Sequence, residues 1–118
     1  MPREFGRQLR VASQLRRLLN ELLRFEVKDP VLASVQVSEV DLSGDLGVAK
    51  VYFSMLVPDD DPAPVVEAFD RARGFLRGRV GHALNLRRVP ELRFIHDMST
   101  KRGFDLAHLI DEQQVSKE

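Results

Sequence analysis

The stretch "DRARGFLRGRVGHALNLRRVP", residues 70–90, decides how this chain is read. It carries six arginines, three glycines and no lysine in a run whose apolar residues otherwise keep helical spacing. Each glycine costs a helix interior about 1 kcal/mol relative to alanine, so Gly74, Gly78 and Gly81 need a reason. In one account the run is a single amphipathic helix. Its arginines are solvated and its glycines permit close packing. In the other, the helix breaks at a glycine, and a second helix offers free N–H groups and its positive dipole end, among guanidiniums, to a phosphate. The register of Val65, Phe69, Ala72, Leu76, Val80 and Ala83 runs across all three glycines, as one helix would. The crowding of Arg71, Arg73, Arg77 and Arg79 about Gly74 and Gly78, with Arg87 and Arg88 just beyond, suits the second account. Arginine is the side chain made for bidentate phosphate contact. Periodicity alone leaves both open.

Upstream, Phe5, Leu9, Ala12, Leu15, Leu19 and Leu22 fall at steps of three and four, which predicts a first helix over about residues 5–27. Its opposite stripe, with Arg3, Arg7, Arg10, Arg17 and Arg24, is cationic. Asp29-Pro30 closes it, because the residue before proline is driven out of the α region. Val35, Val37, Val40 and Leu42 then alternate with a slip at Ser38-Glu39, the pattern of a strand with a bulge. After the turn "SGDLG" (43–47), the run "VAKVYFSMLV" (48–57) alternates cleanly and completes a hairpin with one buried face. "PDDDPAP" (58–64) is a loop into the next helix, with Asp61 placed to cap and Pro62 suited to the first helical position. The acidic triplet 59–61 is a capped helix start rather than a cation site. Asn85 is a left-handed stop, and "VPELRFIHD" (89–97) puts Leu92, Phe94 and His96 on one side of a third strand. A short helix is expected near Phe104–Asp111, before a polar tail.

The chain has 118 residues, enough for one domain, and 43% of them are apolar. The formal net charge is zero, yet it is unevenly spread. Residues 1–28 carry +4, residues 29–70 carry −8, residues 71–93 carry +6 and residues 94–118 carry −2. A basic face attracts polyanions whatever the total, because potential is local. No apolar run suits a membrane span and the N-terminus has no apolar signal core, so a cytoplasmic protein is expected. The chain has no cysteine, and the spacing of His82, His96 and His108 fits no metal site. His96 belongs to a strand face. No phosphate-binding Gly-Lys-Ser/Thr loop appears. An enzyme is not expected.

The expected fold is therefore α+β. It has two layers, with a three-stranded sheet and helices on one face, in the order α-β-β-α-α-β where the 70–90 run breaks at a glycine. That order is the layout of a type II KH domain, which holds single-stranded RNA against a GxxG loop. "GRVG" (78–81) matches that loop only by its letters.

The segments "EVKDP" (26–30), "SVQVSEVDLSGDLGVAKVYFS" (34–54), "RARGFLRGRVGHALNLRRVPEL" (71–92) and "LRRVPELRFIHDMS" (86–99) together resemble the ribosome-binding factor A family over about residues 5–112. The resemblance implies a KH-type domain over residues 1–112 and a tail at 113–118. In place of GxxG it implies an Ala-x-Gly kink, here Ala72-Arg73-Gly74. It further implies a bacterial, non-enzymatic, monomeric protein without cofactor. Such a protein binds the 30S subunit and assists late maturation of 16S rRNA, including its 5′ end, notably in the cold, with assembly GTPases as further partners. The RNA-binding residues expected on this basis are Arg71, Ala72, Arg73, Gly74, Arg77, Arg79, Arg87 and Arg88, then Arg3, Arg7, Arg10 and Arg17. Two other functions fit the residues: an adaptor reaching the ribosome through protein contacts, and a general single-stranded RNA regulator.

Overall fold

The computed structural model describes residues 2–57 and 60–97, with side chains from residue 6 onward. The expected short helix at 104–111 and the tail at 113–118 lie outside the described residues. The elements are helix α1 (Pro2–Phe25), a 3-10 turn (Pro30–Leu32), strands β1 (Gln36–Leu42) and β2 (Val48–Ser54), helix α2 (Ala63–Leu84) and strand β3 (Glu91–His96). The sheet order is β1-β2-β3; β1 and β2 are antiparallel, while β3 runs parallel to β2.

The alternation in the strands becomes a buried face. Val37, Val40 and Leu42 of β1, Ala49, Val51 and Phe53 of β2, and Leu92 of β3 all point into one core. The register shift lies between Val37 and Glu39, where the sequence slips. That one extra residue keeps Val37 and Val40 on the same face. Along the edge of β1, α1 takes up the free backbone groups. The Asn20 amide donates to the Val37 carbonyl (3.0 Å) and its oxygen accepts the Val37 N–H (2.8 Å). Gln8 donates to the Leu42 carbonyl. An edge so occupied cannot recruit another strand at those points.

Helix α1 buries Val11, Ala12, Leu15, Leu19, Leu22 and Leu23, whereas Leu9, expected on that face, is exposed. The helix ends at Phe25, a turn before Asp29-Pro30. Asp29 instead caps the 3-10 turn, accepting the Val31 N–H at 3.0 Å. At the start of α2, Asp61 accepts the Ala63 N–H as expected (3.0 Å), but Pro62 sits at the cap rather than inside the first turn. Asn85, at φ 50 and ψ 43, is the left-handed stop.

The helix does not break at Ala72-Arg73-Gly74. Residues 63–84 form one uninterrupted helix, and no described glycine has a positive φ. The energetics favour continuity. Three interior glycines cost about 2–3 kcal/mol in all. Burying Leu76 and Val80 together returns about 3–6 kcal/mol, and an unbroken helix keeps them in line with Val65, Ala68 and Phe69. The order is thus α-β-β-α-β over the described residues.

Candidate nucleic-acid interface

The three glycines of α2 lie within a narrow arc on the side away from the core, since steps of four and three bring residues 74, 78 and 81 together on a 3.6-residue helix. Two of them are open. A Cβ added at Gly74 or Gly78 would meet nothing within 4 Å. Gly81 differs: an added Cβ would fall 2.7 Å from the Val89 side chain, so this glycine lets the following loop pack back on the helix.

Arginines flank the open strip on both sides. Toward α1, Arg71 donates to Asp29 (3.0 Å) and Arg79 pairs with Glu26. Toward β3, Arg77 donates to the Val89 carbonyl (3.3 Å) and Arg73 lies over the Phe94 ring (5.8 Å to its centre) while pairing with Asp70 at 2.7 Å. Phe94 stacks on Phe69 (4.1 Å between centres), Phe69 meets Phe53 (5.3 Å), and Phe53 stacks on His96 (5.4 Å). The guanidinium of Arg73 therefore stands on an aromatic column rooted in the core. This column also settles His96 as a strand-face residue.

The carboxylates register these neighbours. The hydrogen bond from Arg71, then that from the Val31 N–H, holds Asp29 below the usual carboxylate range. Glu91 is lowered chiefly by Arg93, with Arg73 and Arg77 adding to the field. Three of the four arginines expected around a kink thus already hold a carboxylate. These pairs are solvent-accessible, and exposed ion pairs are weak, screened and exchangeable. Beside Arg71 an open groove of about 530 Å³ runs past Val27, Pro30 and Ala72 to Phe75, which is 46% exposed.

The remaining expected residues divide. Arg7, Arg87 and Arg88 converge on one cleft at the other end of α2, where they meet the β1–β2 turn. In that turn Asp45 accepts the Ser43 hydroxyl (2.7 Å) and the Gly47 N–H (2.9 Å), which lower its pKa, with Arg88 contributing less. Arg10 and Arg17 are exposed on α1 and join neither group, and the side chain of Arg3 is outside the described set. The sequence reading missed Glu26, Asp29, Asp45 and Phe75. The acids lay in motifs already singled out, "EVKDP" and "SGDLG", and Phe75, next to Leu76, falls off the buried register of α2 and is 46% exposed. Among the described residues no three His, Asp or Glu side chains are placed to hold a metal ion, and no helix is long and apolar enough to cross a membrane.

Comparison with known proteins gives this arrangement a family. A model of the family described as ribosome-binding factor A matches residues 7–110. The ribosome-binding factor A of Alkalilimnicola ehrlichii is 49% identical over 113 residues, covering 95% of this chain and 87% of that protein. That of Thiobacillus denitrificans is 41% identical over 111 residues, 94% of this chain and 90% of that one. The crystal structure of ribosome-binding factor A from Thermus thermophilus superposes with a TM-score of 0.68 at 28% identity, over 75% of this chain and 94% of that one. A Thermus thermophilus ribosome-binding factor A model fitted into a cryo-EM map of its complex with the 30S subunit gives 0.61 at 30% identity, over 74% and 91%. With nearly the whole chain matched by the family model and by relatives above 40% identity, this protein belongs to the ribosome-binding factor A family, whose members bind and do not catalyse.

Proposed function

We propose that this protein binds the small ribosomal subunit and assists late maturation of its 16S rRNA, including the 5′ end, through direct contact with the RNA. The fold is then a KH-like variant in which an arginine-flanked helix replaces the GxxG loop. The observation that carries the reading is the outer face of α2, where Arg71, Arg73, Arg77 and Arg79 border a strip bare of side chains at Gly74 and Gly78. A sugar-phosphate chain can approach such a strip closely, and its phosphates can take over guanidiniums that now hold exposed carboxylates. Arg10 and Arg17, exposed on α1, extend the positive field along that helix. Family membership and the 30S complex of the Thermus thermophilus relative support the same assignment. The mechanism is occupancy: the protein holds a local rRNA conformation and leaves when the subunit matures, with assembly GTPases aiding release. Its value is greatest in the cold, where RNA helices rearrange slowly.

The test is sedimentation of a cell extract on a sucrose gradient. Co-migration with free small subunits, and not with complete ribosomes, is expected. Arg73→Glu with Arg77→Glu should reduce the bound fraction at least about tenfold. Binding that survives both reversals but fails when residues 58–61 are deleted would replace RNA contact by an adaptor role. Equal affinity for arbitrary single-stranded RNA would replace it by general RNA regulation.

A further inference from the structure

We infer that Arg7, Arg87 and Arg88 form a socket for a single phosphate of the RNA chain, separate from the α2 strip. The inference rests on the functional reading above and names one point at which that ligand is held. Three parts of the chain build the socket: Arg7 from α1, Asp45 and Leu46 from the β1–β2 turn, and Leu86, Arg87 and Arg88 from the segment after α2. Together they enclose a cleft of about 160 Å³.

Charge separates this cleft from the middle of α2. Among the described residues, neither Arg7, Arg87 nor Arg88 forms an ion pair, whereas Arg71, Arg73 and Arg79 each do. The one carboxylate at the rim belongs to Asp45, and its Oδ1 already accepts both the Ser43 hydroxyl and the Gly47 N–H. Three guanidiniums against one engaged carboxylate leave a surplus of positive charge. A phosphate, with more oxygens than a carboxylate, can serve three guanidiniums lining one cleft at once.

The walls have a second property. Leu46 and Leu86 are partly buried against the core and line the same cleft. Leu46 is held at φ 60, a left-handed conformation that a leucine adopts at a cost of about 1–2 kcal/mol. The Ser43 carbonyl, which accepts the Leu46 N–H at 2.9 Å, and the Asp45 contacts fix it there. Non-glycine residues in this region mark places where the surrounding structure imposes a geometry. Here that geometry sets an apolar wall beside three guanidiniums, which matches the carbon face of a ribose attached to the phosphate.

Binding of the full-length protein to purified small subunits and to protein-free 16S rRNA, measured across a series of potassium chloride concentrations, tests the socket. The variants are Arg7→Gln, Arg87→Gln and Arg88→Gln, singly and combined, with Lys28→Gln plus Lys50→Gln as a charge control. All of these side chains are exposed, and urea unfolding of each variant verifies an intact fold. The triple variant should bind both targets about 10- to 100-fold more weakly, while the control changes far less. The slope of log affinity against log salt should fall by about 0.7–0.9, the share of one phosphate. Each single change should account for most of the loss, because groups on one ligand atom set are not additive. A slope change near three phosphates' worth would overturn the socket in favour of separate contacts. So would wild-type affinity in the triple variant, or a loss on subunits with none on bare rRNA, which would make the occupant a ribosomal protein. If the wild-type chain bound neither target, the functional reading would fall first and the socket with it.

Discussion

The middle of α2 and the end of α2 carry the same residue types in opposite circumstances. In the middle, the glycines are open and the arginines are engaged: Gly74 and Gly78 face empty space while Arg71, Arg73 and Arg79 hold Asp29, Asp70 and Glu26. At the end, the glycine is engaged and the arginines are open: Gly81 lies under Val89, while Arg87 and Arg88 form no ion pair among the described residues. The local letters, glycine interleaved with arginine, do not distinguish the two. Partners distant in sequence do. Glu26 is 53 positions from Arg79 and Asp29 is 42 from Arg71. The density of charge in a segment therefore reports how many guanidiniums are available to a polyanion only after the fold has assigned some of them.

The sharpest way to break this contrast is an alanine scan of the glycines. Alanine removes the same helix-propensity cost at each position, so that gain cancels when variants are compared. Gly74→Ala and Gly78→Ala should each raise stability by about 0.5–1 kcal/mol. Gly81→Ala should fall below them by about 1–3 kcal/mol, the range for forcing a methyl into a filled space, because Val89 must move. Urea unfolding curves measure the difference. Equal stability of all three variants would mean that the loop carrying Arg87 and Arg88 is not seated through Gly81. A loss at Gly74 would mean that its backbone is not plain helix.

What was legible in the sequence follows the range of the forces involved. The strand alternation, the slip at Ser38-Glu39 and the stop at Asn85 are set by each segment's own backbone and by which face it buries. The slip and the stop appear where the letters place them, while the alternation expected through Val57 holds as strand only to Ser54, and Val57 is half exposed. The continuity of α2 was half legible: the register from Val65 to Val80 announced it, and the family pattern at Ala72-Arg73-Gly74 argued against it. The register prevailed because burial of Leu76 and Val80 acts on the whole helix, whereas a glycine acts on one residue. Least legible was the state of the arginines. It depends on the return of α1's C-terminus beside α2 and of the β1–β2 turn beside Arg88, and no local pattern specifies either contact. Phe75 was hidden for a similar reason, as one apolar residue off the register says nothing until a groove forms beside it.

A smaller effect tests whether the engaged arginines are reserved for RNA. In Glu26→Gln with Asp29→Asn, Arg71 and Arg79 lose their carboxylates, while asparagine keeps the cap on the Val31 N–H. Affinity for small subunits should rise about two- to fivefold, since an exposed pair competes only weakly with phosphate. Filter-binding titrations at fixed salt would show it. Unchanged affinity would place Arg71 and Arg79 outside the contact and leave the RNA to Arg73, Arg77 and the socket.

The smallest effect is also the most direct reading of the contrast, because it needs no ligand. Asp29 and Asp45 both titrate below the usual carboxylate range, but for different first causes: the Arg71 hydrogen bond for Asp29, the Ser43 hydroxyl for Asp45. A carboxylate whose pKa is lower folded than unfolded stabilises the fold above its unfolded value, about 3.9 for aspartate. That contribution is lost as the pH falls through the folded value. Arg71→Gln removes the leading cause at Asp29, so the Asp29 titration, followed by carboxyl NMR shifts, should move up; the variant should be less stable at neutral pH, and the part of its stability lost to acid through Asp29 should shrink. Arg88→Gln removes only a lesser contribution at Asp45, whose titration should stay nearly in place because Ser43 and Gly47 still donate to it. If Asp45 moved as far as Asp29, Arg88 would be tied to its carboxylate as firmly as Arg71 is, and the end of α2 would hold no guanidinium freer than those in its middle.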